Sequence, residues 1–462
     1  MRVLLVVHGF PPETLAGTEV VTLQLALALQ RRGHEVLVLY RSGRPLVPDY
    51  ALEWDSFQGV PTVALVNRLS FSSVAQTYRN PSAEEAFVRV LDHFQPDVVH
   101  FQHLLHLSAS LIAIARRRAL PTVVTLNDYW FVCPTVQLRR LGGELCAGPG
   151  DGFECLRCAG ARWIPFGGRL GLRRSLAWAF RHQGSLVKRL VKTYAVVTRR
   201  VDWRDRLRDV EDLVSRPQYM AAMLREADLV ICPSQFLIEV LRSNGVWTGN
   251  LRQADQGTEL SRFQGLERRP AGHLRLAFIG TLIDYKGPQV LVEAFNRLQG
   301  EPATLQIYGA TDGPAPVVRC YEELLAKTRN PELRFERPFP NSQMGTVLAE
   351  IDVVVVPSIW YECSPMMIHE AFAAGVPVVA SDLGAMRELI HDGADGLLFR
   401  TGDAADLAGK LRSLIHQPAL LATLRRGIRP MLSLEESAAE HEGWYRQLVA
   451  ARSGMMARPA GP

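Results

Sequence analysis

The apolar run RVLLVV at residues 2–7 is followed by a loop, a stretch with helical spacing at Val20, Leu23 and Leu27, a glycine stop at Gly33, and a second apolar run, EVLVLY. That order predicts strand, helix, strand, because a continuous apolar run suits a strand covered on both faces and a period near 3.6 suits a helix lying over it. The same alternation recurs in PDVVHFQHLLHLSASLIAIARRRALPTVVTLNDYW and in ADLVICPSQFLIEVLRSNGV, so the first half predicts a doubly wound parallel sheet. After the Pro/Gly/Arg-rich segment RFQGLERRPAGH the pattern restarts with LRLAFIG, ATLQIYG, LRFERPF, IDVVVVPS and PVVASD. The expected organisation is an α/β domain over 1–262, a second over 270–432, and a final helix in 433–462. Residues 133–216 break the alternation and read as an insertion in the first domain.

Length and composition fit this division. A chain of 462 residues exceeds one ordinary core, and 47% apolar with 21% charged residues describes a globular protein rather than a disordered one. No window approaches the roughly 20 apolar residues of a membrane-spanning helix. MRVLLVVHGF runs into Pro-Pro rather than a small-residue cleavage site, so it reads as a buried first strand and predicts a cytoplasmic location. A net charge of +5 does not argue for nucleic acid; it suits an anionic substrate or an anionic membrane surface.

In open α/β sheets, ligands lie beyond the carboxyl ends of the strands. The stretch VVVVPSIWYECSPMMIHEAFAAGVPVVASD puts Glu362 on such a loop and Glu370 on the helix after it. Ser364 is expected to cap that helix and Pro365 to occupy its first turn, leaving free N–H groups and a positive dipole end suited to a diphosphate. The segment GTLIDYKG contributes Lys286, whose ammonium suits a leaving group that gains negative charge. Small residues in PPETLAGTEV, Gly17 and Thr18, would allow close backbone approach, although such a loop also serves merely to turn strand into helix.

The two glutamates in E-x7-E spacing, the flanking PS and EAFAAGVPVVASD, the later GADGLLFRTGD, the N-terminal Gly loop and GTLIDYKG together resemble the retaining GT-B glycosyltransferases of family 4, the glycosyl transferases group 1. The resemblance covers nearly the whole chain. It implies two Rossmann-like domains facing across a cleft, the acceptor held by the first and a nucleotide-sugar donor by the second, with a terminal helix crossing back to the first. It further implies that Glu370 holds the ribose hydroxyls, that Glu362 sits near the transferred sugar, and that Ser364, Pro365, Met366 and Met367 present backbone groups to sugar and phosphates. Lys286 would neutralise the diphosphate without a catalytic divalent metal. The family's arginine after the glycine is replaced by Thr281. The histidine that many relatives keep at the end of TVVTLNDYW is replaced by Asn127, which can hydrogen-bond a sugar but cannot act as a base. His103 lies past a strand's carboxyl end and is a further cleft candidate, whereas His100 and His106 read as structural histidines.

Cys133, Cys146, Cys155 and Cys158 give C-x12-C-x8-C-x2-C within glycine-rich loops. A four-thiolate structural zinc site explains all four, an iron–sulfur cluster would use the same ligands, and unpaired structural thiols are the remaining reading. A subset of family-4 sequences carries a similar cysteine-bearing insertion. Beyond it, Trp163, Phe166, Trp178 and Phe180 alternate with arginines, a pattern suited either to peripheral contact with the inner membrane face or to packing on the first domain. The expected activity is sugar transfer to a glycan, a lipid-linked molecule or a small molecule. The alternatives are a non-catalytic sugar-nucleotide-binding relative and a sugar-nucleotide epimerase.

Overall fold

The computed structural model describes residues 1–152, 154–162, 201–246, 249–268 and 271–456. Trp163, Phe166, Trp178 and Phe180 lie outside the described residues. The chain divides into two compact units. The first comprises Met1–Cys232, Ile238–Arg252 and the chain from His441 onward; the second comprises Pro233–Leu237 and Gln253–Glu440.

The first unit is built on strands β1 (Arg2–Val7), β2 (Glu35–Ser42), β3 (Leu52–Phe57), β4 (Val60–Val66), β5 (Val98–Phe101), β6 (Thr122–Thr125), β7 (Leu229–Cys232) and β8 (Leu251–Gln253). Their order is β3-β4-β2-β1-β5-β6-β7-β8, with β1 parallel to both β2 and β5 and only β3–β4 antiparallel among the recorded pairs. Val3 to Val7 are fully buried, as a central parallel strand covered on both faces requires. The helix Gly17–Arg31 over this sheet ends at Arg32, and Gly33 takes the left-handed conformation (φ +81°) that closes such a turn.

The second unit carries β9 (Leu274–Ile279), β10 (Ala303–Tyr308), β11 (Leu333–Glu336), β12 (Val353–Val356), β13 (Val378–Ser381) and β14 (Gly396–Phe399), in the order β11-β10-β9-β12-β13-β14. All its pairings are parallel. This is the dinucleotide-fold order, in which the chain winds one way from β9 and then the other way from β12. Each sheet therefore has a point where winding reverses, between β1 and β5 in the first and between β9 and β12 in the second.

The expected domain border at residue 262 falls earlier. Residues 253–262 belong to the second unit because Thr258 pairs with the backbone around Ser433, and Phe263 enters the core cluster with Ala277, Leu348 and Val354. At the far end, the helix Leu434–Met456 is shared: its part from His441 onward packs in the first unit. There Tyr445 meets His100 (2.6 Å), Arg452 pairs with Asp228 (2.9 Å) and Glu442 with Arg32 (2.6 Å).

Candidate functional site

At the reversal point of the second unit, β9 runs out through Gly280 into the short turn Asp284–Lys286, and β12 runs out through Pro357 and Ser358. The two exits touch. Gly287 has φ +73°, and a Cβ there would lie 1.8 Å from the Pro357 carbonyl oxygen, so only glycine lets the loops close to this distance. That approach brings Lys286 Nζ to 2.7 Å from Glu362 Oε1. The same oxygen accepts from Ser358 Oγ at 2.7 Å and from Trp360 Nε1 at 2.9 Å, and the ammonium lies 5.6 Å from the Trp360 ring centre. The Glu362 side chain is 8% exposed and that of Lys286 31%, so the carboxylate anchors the base of the pair while the cation keeps a face toward the surface.

The helix Met366–Ala373 follows, and here one expectation is corrected. Ser364 does not cap it: Pro365 occupies the cap position, no side chain caps the helix, and Ser364 Oγ instead meets His369 Nε2 at 3.0 Å. The buried imidazole of His369 draws the hydroxyl away, and burial holds its own pKa below the ordinary histidine range. Met366 and Met367 form the helix's first turn, and Glu370 is buried one turn further on. Burial pushes the Glu370 carboxyl up to about 7, with Arg262 opposing more weakly. Among the described residues no hydrogen-bond donor to that carboxylate is found. Thr281 is exposed on the loop after β9.

The reversal point of the first unit holds different chemistry. His8 follows β1 and His103 follows β5, and their rings stand 4.3 Å apart. His103 Nε2 lies 2.8 Å from Asp128 Oδ2, and its Nδ1 accepts from the Leu105 N–H at 3.0 Å. Both ring nitrogens are therefore engaged, with the proton on Nε2. Asn127 donates its amide to the Gln102 carbonyl at 2.9 Å. His8 Nε2 is 3.5 Å from Glu19 Oε1, and burial together with the neighbouring histidines holds His8 well below the ordinary range. Gly17 and Thr18 are not loop residues; they open the helix Gly17–Arg31, whose first turn carries Glu19. His100 is locked between Tyr445 and Thr125, which makes it structural.

Sequence reasoning missed His8, Glu19, Asp128, Ser358, Trp360 and His369. A signal existed for His8, which immediately follows a predicted buried strand.

The four clustered cysteines line one cavity of about 20 Å³ together with Pro134, Thr135 and Leu138. All four are free thiols, and burial, then the neighbouring Cys133, pushes Cys155 up to about 12. Among the described residues, no group of three or more His, Cys, Asp or Glu side chains is placed to hold a metal ion. Also among them, no helix is long and apolar enough to cross a membrane.

Two family models match this chain. "Glycosyl transferases group 1" covers residues 273–417 and "Glycosyltransferase Family 4" covers residues 15–191. The D-inositol 3-phosphate glycosyltransferase of Nocardia farcinica is 28% identical over 225 residues, 45% of this chain and 49% of that protein. The glycogen synthase of Mycobacterium tuberculosis is 28% identical over 218 residues, 46% of this chain and 51% of that protein. The chain thus spans about half the length of the curated relatives it matches. Among solved structures, sucrose-phosphate synthase from Thermosynechococcus elongatus superposes with a TM-score of 0.68 at 21% identity, over 97% of this chain and 99% of that one. HepE of Anabaena, solved with UDP and glucose, gives 0.62 at 15% identity, over 96% and 99%. These neighbours have the GT-B fold.

Proposed function

The chain belongs to the group 1, family 4 glycosyltransferases, and from that premise we propose that it transfers a sugar from a nucleoside-diphosphate sugar to an acceptor hydroxyl with retention of anomeric configuration. The observation that carries this reading is the reversal point of the second unit, where a partly exposed lysine braced by a buried glutamate accompanies a second, buried glutamate with no donor among the described residues. An ionised carboxylate accepts two hydroxyl hydrogen bonds at once, which is what a ribose offers to Glu370. Lys286 supplies positive charge to the diphosphate as the bond from sugar to phosphate breaks, and Glu362, tied to Ser358 and Trp360, fixes the ammonium in place.

The acceptor oxygen then bonds to the anomeric carbon on the face the phosphate leaves, and its proton goes to the departing phosphate. This route requires no protein base. That agrees with the engaged nitrogens of His103 and with Asn127 at the place of the family's histidine. The acceptor is a hydroxyl of a glycan, a lipid-linked molecule or a small molecule.

The test is a panel of nucleotide sugars, starting with UDP-glucose because HepE was solved with UDP and glucose. Nucleotide release and the anomer of the product are followed by NMR. Transfer with an unchanged anomeric configuration is the expected result. Donor binding without nucleotide release under any acceptor sinks the transferase reading, a changed sugar without release replaces it with an epimerase, and an inverted product removes retention.

A further inference from the structure

We propose that Cys133, Cys146, Cys155 and Cys158 bind one Zn²⁺ ion as a closed four-thiolate site, and that the buried guanidinium of Arg216 is the counter-charge built for it. The inference is independent of the sugar-transfer reading.

Three chain segments deliver the thiols to one cavity. Cys133 ends a tight turn, its N–H bonded to the Tyr129 carbonyl at 2.6 Å. Cys146 follows the small antiparallel bridge Arg139–Leu145, its N–H bonded to the Leu138 carbonyl at 2.7 Å. Cys155 and Cys158 open the helix Cys155–Arg162, where a spacing of three residues puts both on one face. Between Cys146 and Cys155, Gly148, Gly150 and Gly152 all have positive φ. A Cβ on Gly152 would lie 2.8 Å from Val214 Cα, so the loop is pressed against the helix Val201–Arg225.

Arg216 lies on that helix and is 2% exposed. Its guanidinium rests over the rings of Tyr78 (5.6 Å) and Trp130 (5.5 Å) and donates from Nη2 to the Trp130 carbonyl, while Nη1 is buried with no hydrogen-bond partner among the described residues. Among the described residues no carboxylate forms an ion pair with it. The backbone ties Arg216 to the cysteine cluster: it donates to the Trp130 carbonyl, the adjacent Tyr129 carbonyl accepts from the Cys133 N–H, and its own helix meets the cysteine loop at Gly152. A buried cation without an anion is strongly unfavourable. Four neutral thiols do not relieve this, whereas four thiolates on Zn²⁺ do: the ion displaces four protons and the complex carries a net charge of −2 beside the guanidinium.

Because the thiols as placed do not stand at metal-ligand geometry, the ion must draw the loop between Cys133 and Cys158 inward. A site with four protein thiolates has no open position, so its role is to hold the loop rather than to react.

The experiment uses the full chain, purified with a thiol reductant and no chelator. Elemental analysis is expected to find about one equivalent of zinc, and exchange for Co²⁺ should give the intense d–d and thiolate charge-transfer bands of a tetrahedral thiolate site. Arg216→Met is expected to stay folded by circular dichroism and to release zinc to a chelator about tenfold faster than the wild type, the effect typical of losing a group beside a metal centre. Folded wild-type protein with negligible zinc and four freely titrating thiols overturns the site, as does iron with the visible absorption of a cluster. Unchanged release from folded Arg216→Met overturns the role of the arginine. The Co²⁺ spectrum of the wild type decides the ligand set without any cysteine variant.

Discussion

The two sheets reverse their winding at equivalent places, and the groups they present there are committed differently. In the first unit His103 is held by Asp128 and the Leu105 N–H and Asn127 by the Gln102 carbonyl, while His8 Nδ1 and Glu19 Oε2 beside them are buried with no hydrogen-bond partner among the described residues. In the second, Glu362 and Lys286 form a braced pair, and Glu370 is buried with no hydrogen-bond donor among the described residues, its carboxyl pushed up to about 7 by burial. The bonds on His103 and Asn127 fix their side chains in place. An unsatisfied buried carboxyl is a cost that a ligand with two hydroxyls can remove. The difference teaches that the proposed chemistry on the substrate rests on the second unit's reversal point, whereas His103 and Asn127 at the first are held by their own unit.

The largest effect should come from Glu370→Gln. Losing two charge-assisted hydrogen bonds is expected to weaken donor binding by about 100-fold, read by calorimetry. Stability should move the other way. The folded-state pKa of about 7 lies above the ordinary 4.5, so wild-type stability is fully present below pH 4.5 and falls as pH rises through 7. The variant lacks this loss and should be the more stable protein at pH 8 by up to about 3 kcal/mol, with little difference near pH 4.5. Wild-type donor affinity should weaken by about tenfold per pH unit below 7. A variant that binds donor normally, or gains nothing at pH 8, erases the contrast between the two reversal points.

Lys286→Ala should come next, lowering kcat by about 100- to 1000-fold while donor affinity changes less, because its charge matters most as the phosphate leaves. Single-turnover kinetics separate the two quantities. A loss confined to KM would move Lys286 from the leaving group to simple donor retention.

His103→Gln probes the other side of the comparison. It breaks the bond to Asp128 inside a buried network, so about 1–3 kcal/mol of stability should be lost, with kcat within tenfold of wild type and an unchanged pH profile. A fall in kcat of about 100-fold or more with a displaced acidic limb would make His103 a general base and place reaction chemistry in the first unit as well.

The second reversal point was legible in the sequence because its main motif is local: Glu362, Ser364 and Glu370 lie on one loop and the helix after it. The contact between Lys286 and Glu362 was not, since 76 residues separate them and only the adjacency of β9 and β12 brings them together. Ser364 was misread as a cap because spacing reports where a helix can start, whereas a buried imidazole five residues on competes for the hydroxyl. The first reversal point was nearly illegible for the same reason of distance: His8, His103 and Asp128 come from three separate strand ends. The cysteine spacing was visible at once, but Arg216, whose burial gives that cluster its charge argument, looks like any helix arginine until it is seen enclosed.

The smallest change should come from Thr281→Arg, which restores the cation that the family resemblance leads one to expect after Gly280. Thr281 is exposed and lies on the loop between β9 and Lys286, so a long side chain has room there without displacing a buried neighbour. A guanidinium held in solvent gains little: surface charge pairs are worth about 0–1 kcal/mol, which caps the improvement in donor affinity near five-fold. That gain should appear in KM and fade in high salt, because an exposed cation is screened. If kcat instead rises by about tenfold or more, Lys286 is too weak a cation for the leaving diphosphate by itself, and the second unit is less complete than its braced pair suggests. If neither quantity moves, Lys286 and the uncapped helix Met366–Ala373 already neutralise the phosphates, and the absent arginine is a substitution the site tolerates because its glutamate-anchored lysine is held so firmly.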